Sequence, residues 1–129
     1  MTHQLVSEKG LELVAKVRAF CMELLEVEEK VDGFGHITFR VKDKPFVMMG
    51  EKDGQPSTAI KTNLTTQEFL LQQEDTPYHK TAYIGQHGWV SILDIDKVPW
   101  SEIEDLMMEG YARTAPKKLL SQLQQLGNR

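Results

Sequence analysis

His36-Ile37-Thr38-Phe39-Arg40-Val41-Lys42 alternates apolar and polar side chains step by step, and its reading decides the fold. Successive residues of a strand point to opposite faces, so Ile37, Phe39 and Val41 share one side and Thr38, Arg40 and Lys42 the other. Asp43-Lys44-Pro45 then reads as a turn, and Phe46-Val47-Met48-Met49 as a short strand that is apolar at both parities. Lys52-Asp53-Gly54-Gln55 holds an Asp-Gly pair, the strongest short-range hairpin signal. Ser57 to Thr62 supplies a third strand, and the three runs together predict an antiparallel meander.

Helical spacing flanks this meander. Upstream, Leu13, Val14, Val17, Phe20, Cys21, Leu24 and Leu25 recur at three- and four-residue steps, with Ser7 as the N-cap. The acid-rich stretch Glu23–Asp32 leads from that helix to Gly33-Phe34-Gly35, where it must have ended. Downstream, Thr65-Thr66-Gln67-Glu68 is a capping box that opens a helix through Phe69, Leu70 and Leu71. Thr81–Gln86 and Trp89–Asp94 predict a second hairpin about His87-Gly88. Ser101-Glu102-Ile103-Glu104 repeats the capping pattern before the stripe Ile103, Leu106, Met107 and Tyr111. Pro116 must end or kink that last helix, and Leu119, Leu120, Leu123 and Leu126 continue with helical spacing beyond it. The order is α-β-β-β-α-β-β-α. Strand clusters joined by hairpins and separated by helices, without βαβ alternation, predict an α+β fold on an antiparallel five-stranded sheet.

A chain of 129 residues predicts a single domain, 1–129, with one core. No apolar run approaches the roughly 18 residues that a membrane span needs. Met1-Thr2-His3-Gln4-Leu5 lacks the basic region and apolar core of a signal peptide. Cys21, the single cysteine, cannot form an internal disulfide, which fits a reducing cytoplasm. The net charge is −4 but unevenly placed: Asp94–Gly110 is strongly acidic, whereas Arg113, Lys117, Lys118 and Arg129 leave the last segment purely basic. A nucleic-acid binder usually carries a basic domain, although local fields act even when the total is negative.

The chain resembles the MmcQ/YjbR family. The matching residues are Gly33-Phe34-Gly35-His36, Lys44-Pro45-Phe46, Ala59-Ile60-Lys61-Thr62, Pro77-Tyr78-His79, Gly88-Trp89-Val90 and Gly110-Tyr111-Ala112. Their order and spacing run from about residue 10 to residue 120. One departure is Gly110, where members commonly show a serine, so no hydroxyl acts there. The resemblance implies a two-layer α/β sandwich like that of secretion chaperones, with helices on one face of the sheet. It implies DNA as a partner only through the likeness of the hairpins to wings, and fold does not carry function.

Enzyme signatures are missing: there is no Gly-x-Ser-x-Gly elbow, Walker loop, His-Glu-x-x-His or Cys-x-x-Cys. Gly33-Phe34-Gly35 precedes a strand, whereas a phosphate loop opens a helix. Cys21 lies on the apolar stripe of its helix, where burial makes a thiol inert. His36, His79 and His87 sit at strand ends or turns and match no metal spacing, and Asp94 with Asp96 reads as a strand end and turn cap. No catalytic, metal or cofactor residue is therefore assigned. The residues that would contact DNA phosphates are Arg40, Lys42 and Lys44 on the first hairpin, Lys52 at the next hairpin tip, and Lys117 and Lys118 at the start of the tail helix. Tyr78 and Tyr83 offer stacking faces, while Asp43, Glu51 and Asp53 dilute the basic field. One alternative is a protein- or peptide-interaction module acting as a homodimer through the uncovered sheet face, where Val47/Met49 or Phe46/Met48 would point away from the helices unless Leu119–Leu126 folds over them. Another is a small-molecule pocket near Tyr78, His79, His87 and Trp89.

Overall fold

The computed structural model describes residues 2–127. Its elements are α1 (Glu8–Cys21), β1 (Val27–Val31), β2 (Ile37–Val41), β3 (Lys44–Lys52), β4 (Gln55–Lys61), α2 (Leu64–Gln72), β5 (Tyr78–Lys80), β6 (Trp89–Ile92), α3 (Trp100–Thr114) and α4 (Lys117–Gly127). The strands form one antiparallel sheet in the order β1-β2-β3-β4-β6-β5. The α+β class is as expected, but the sheet has six strands where five were predicted.

The added strand is β1. Its sequence, Val27-Glu28-Glu29-Lys30-Val31, carries no hydrophobic alternation, and it reads as the acidic end of a helix. It is an edge strand, where charged side chains are the usual guard against further pairing. Val27 alone is buried, and its partners lie on neighbouring elements. Glu28 stands directly opposite Arg40, and Glu29 receives both Arg18 donors from α1 at 2.6 and 2.9 Å.

The first hairpin turns at Lys42-Asp43, one residue earlier than expected, with both φ angles positive (52° and 65°). The Asp53-Gly54 turn falls where the sequence put it. A register shift in β3 leaves Phe46 between the pairs Phe39↔Val47 and Arg40↔Pro45. A bulge of this kind re-aims a side chain. Phe46 meets Tyr111 of α3 edge-to-face at 5.7 Å, and Phe46, Val47 and Met49 are all fully buried. The doubly apolar run therefore does not paint the outer face; among its four residues only Met48 is part-exposed. Phe39, Val41, Ile60, Ile103, Met107 and Tyr111 complete the centre of the core between the sheet and the helices α1 and α3.

Two caps differ from expectation. Asn63, not Thr65, caps α2, its Oδ1 accepting the Thr66 N–H at 2.7 Å. Helix α3 starts at Trp100, behind Pro99, without a side-chain cap. Ser7 caps α1 as predicted and accepts the Gly10 N–H at 2.9 Å. The second hairpin also differs: β5 is Tyr78–Lys80, and a 3₁₀ turn at Gly85–His87 intervenes before β6. Gly110 marks the closest approach of α3 to the sheet, since a Cβ there would lie 3.0 Å from the Lys61 carbonyl oxygen. Pro116 separates α3 from α4. Leu119 joins the main core, with Leu120 and Leu123 packed against it, so the tail helix does not cover the outer sheet face. Arg129 lies outside the described residues. No described helix is long and apolar enough to cross a membrane.

Candidate functional site

The basic residues expected to act together are distributed by the sheet. Arg40 is half-buried, its Nε donating to Thr38 Oγ1 at 2.9 Å and its Nη1 to the Asp43 carbonyl at 3.2 Å. Lys42 Nζ bonds Glu26 at 3.0 Å, at the foot of the unforeseen edge strand. Lys44 and Lys52 are the two ends of β3, eight residues apart and so about 26 Å distant. Lys117 and Lys118 open α4, past the C-terminal part of α3 that packs at the Phe46 and Lys61 end of the sheet. Lys52 belongs to the opposite end.

The four residues expected to form a pocket do not converge. Tyr78 pairs with Ile92 on the core face, and its hydroxyl donates to the Glu102 carboxylate. Burial first, then that carboxylate, raises the phenol above its ordinary range, so it stays protonated. His79 is one residue on, opposite Ser91, and points to the outer face. Trp89 stands opposite Lys61 on that outer face and is 5% exposed. His87 is exposed in the 3₁₀ turn. His36 immediately precedes β2, which is four ladder steps from β5, about 19 Å across the sheet from the strand of His79. It bonds Asp32 through Nδ1 at 2.9 Å and stacks on His3 with ring centroids 4.5 Å apart. Among the described residues no three His, Cys, Asp or Glu side chains gather to hold a metal. Cys21 is fully buried, and desolvation pushes its thiol up to about 12.

What the fold does assemble is an open cleft of about 820 Å³ where β4 ends, α2 begins and the 85–88 turn closes. Lys61, Thr62, Asn63, Leu64, Gln86, His87 and Arg113 line it. Three of these seven carry or can carry positive charge, none is acidic, and no ion pair engages them among the described residues. A second depression of about 580 Å³, between α1 and the start of α3, is electrically balanced instead. There Lys9 pairs with Asp96 at 3.3 Å, and Lys16 lies over the Trp100 ring at 4.2 Å.

The first cleft has a rigid wall. Thr62 N–H donates to the Gly88 carbonyl at 3.0 Å, and the Thr62 hydroxyl donates to the same oxygen. Gln67, buried on α2, donates through Nε2 to the Gly85 and Trp89 carbonyls at 2.7 and 2.9 Å. The turn is thus fastened to both the end of β4 and to α2. The aliphatic stem of Lys80 packs over the turn, so close to Gly85 that a Cβ there would meet its Cγ at 2.5 Å. Cationic side chains around a concave site with no acid in its lining can hold an anion such as phosphate by charge-assisted hydrogen bonds.

Of this group only His87 was singled out from the sequence as a site residue. Lys61 stood inside a family motif and Arg113 inside the basic tail, some fifty residues apart. Only the close approach of α3 at Gly110 brings the two together.

A family model described as YjbR matches residues 22–113 of the chain. No curated protein matches it. Among solved structures, Deinococcus radiodurans protein DR2400, with a domain of the DUF419 family model, is similar. Its TM-score is 0.67 at 19% identity, over 76% of this chain and 75% of that one. At that identity the likeness speaks to fold.

Proposed function

This chain belongs to the YjbR family, and on that premise we propose that it is a small non-enzymatic binding protein for phosphate-bearing polymers, DNA first among them. The observation that carries the reading is the cleft at the β4–α2 junction, which Lys61, His87 and Arg113 line with no acidic residue among its lining. Lysine and arginine neutralise backbone phosphates and release counterions, which supplies sequence-independent affinity. Arg113 offers a planar fork for two phosphate oxygens, and Lys61 a point charge. Lys44, Lys117 and Lys118 are further candidate phosphate contacts. Arg40 and Lys42 contribute less, because Asp43 and Glu26 already engage them.

The test is a fluorescence-anisotropy titration of a labelled oligonucleotide at about 50 and about 200 mM salt. Wild-type protein should bind at low salt and weaken as salt rises. Lys61→Glu/Arg113→Glu should abolish the binding, while Lys42→Glu/Lys44→Glu should reduce it only in part. Absence of salt-sensitive binding by the wild type at low ionic strength would sink the proposal.

A further inference from the structure

Tyr83 is 94% exposed, the most exposed large hydrophobic side chain among the described residues. Its backbone sits at φ 66°, and the Ile84 N–H donates to the Ala82 carbonyl at 2.8 Å, closing a three-residue turn with Tyr83 at the apex. A γ-turn with positive φ is rare and strained, and a bulky residue in that region is an outlier. Strain of this kind persists only where surrounding structure holds it, and it gathers at ligand-binding sites. Here the holding structure is the cleft wall itself, since Gln67 pins Gly85 and Trp89 on the same segment.

The ring and the cleft belong to one loop. Tyr83 precedes Gln86, a cleft residue, by three positions, which limits their Cα separation to about 11 Å. One loop therefore carries a flat aromatic face within reach of the cleft lined by Lys61, His87 and Arg113. That pairing fits a ligand whose planar ring and phosphate alternate along a chain. In a duplex the bases are stacked on one another and closed to an outside ring. A single strand exposes them, and base–aromatic stacking beside a positive groove is how sequence-tolerant single-strand binders work. Tyr78, the other tyrosine near this sheet edge, is buried against Glu102 and has no free face.

We infer that the polymer is single-stranded nucleic acid, with an unpaired base stacked on Tyr83 and the adjoining phosphates in the Lys61–His87–Arg113 cleft. The inference rests on the phosphate-binding reading of that cleft and adds strand state and the stacking residue to it.

The test titrates a labelled oligo-dT strand and the matching dT·dA duplex against wild type, Tyr83→Asn and Tyr83→Trp. Asparagine tolerates left-handed backbone and so keeps the turn while removing the ring. Wild type should prefer the single strand, and Tyr83→Asn should lose about ten-fold in single-strand affinity with duplex affinity unchanged. Tyr83→Trp should retain the preference. Unlabelled pyrophosphate should displace the strand from wild type, and its inhibition constant, extrapolated to zero strand, should be the same for Tyr83→Asn, since it reads the cleft alone. Equal affinity for single strand and duplex, or indifference to Tyr83→Asn, would overturn the inference and leave the cleft proposal standing. No binding of either nucleic acid would overturn both.

Discussion

At residue 88 the backbone takes φ +94°, and a Cβ there would fall 2.3 Å from the Thr62 carbonyl oxygen. Two independent requirements thus meet in one glycine: a left-handed conformation and a close backbone approach. Gly88→Ala should cost about 3 kcal/mol, read as a lowered urea midpoint. It should also weaken polyanion binding, because the turn that carries His87 must move away from Thr62. Unchanged stability would show that the turn yields freely. The sequence marked Gly88 as a turn residue but could not name its partner, which lies 26 positions away. Tyr83 shows the same gap: its type was noted as a stacking face, but its exposure follows from a turn that leaves no mark in composition.

Among the elements, the link between α1 and β3 depends on pH. Glu51 of β3 accepts the N–H groups of Val6 and Ser7 at 3.2 and 3.1 Å, and the Ser7 hydroxyl, just before α1 begins. The Ser7 hydroxyl foremost, with the two N–H groups, outweighs desolvation and holds this carboxyl below its ordinary 4.5. The folded state therefore binds the proton less readily than the unfolded chain. The stabilisation is complete above about pH 4.5 and is lost as pH falls below it. Glu51→Gln should lower the melting temperature at neutral pH and flatten its decline in acid. A melting curve that falls as steeply in acid for Glu51→Gln as for wild type would refute this assignment. Elements with a clear period were legible: β2 and the Asp53-Gly54 turn fall where expected, and α1 starts at its Ser7 cap but ends at Cys21, before Leu24 and Leu25 of the expected stripe. The edge strand β1 was not, because its stability comes from pairing with β2 and from Arg18 rather than from its own pattern. Nor was the bulge at Phe46, since an extra residue in a register exists only relative to the neighbouring strand.

For the whole molecule, a net charge of −4 coexists with a cationic end of the sheet. Binding by Lys61, His87 and Arg113 would neutralise about three phosphates, so for a single strand the logarithm of affinity should fall against the logarithm of salt with a slope of about −2. A slope near zero would place the contacts elsewhere. The net charge would lower affinity uniformly, and screening limits that penalty to a range of about 10 Å at 0.1 M salt.

Hydrophobic period and turn chemistry by themselves determined the α+β class, the antiparallel meander, the first helix and the break at Pro116, because each depends on residues a few positions apart. The tertiary structure alone decided the sixth strand, the inward turn of Phe46, the scattering of the expected pocket residues, and the meeting of Lys61, His87 and Arg113. Those outcomes depend on distances between segments far apart in the chain. The close packing of α3 on the sheet at Gly110 and the fastening of the 85–88 turn to Thr62 and Gln67 set those distances.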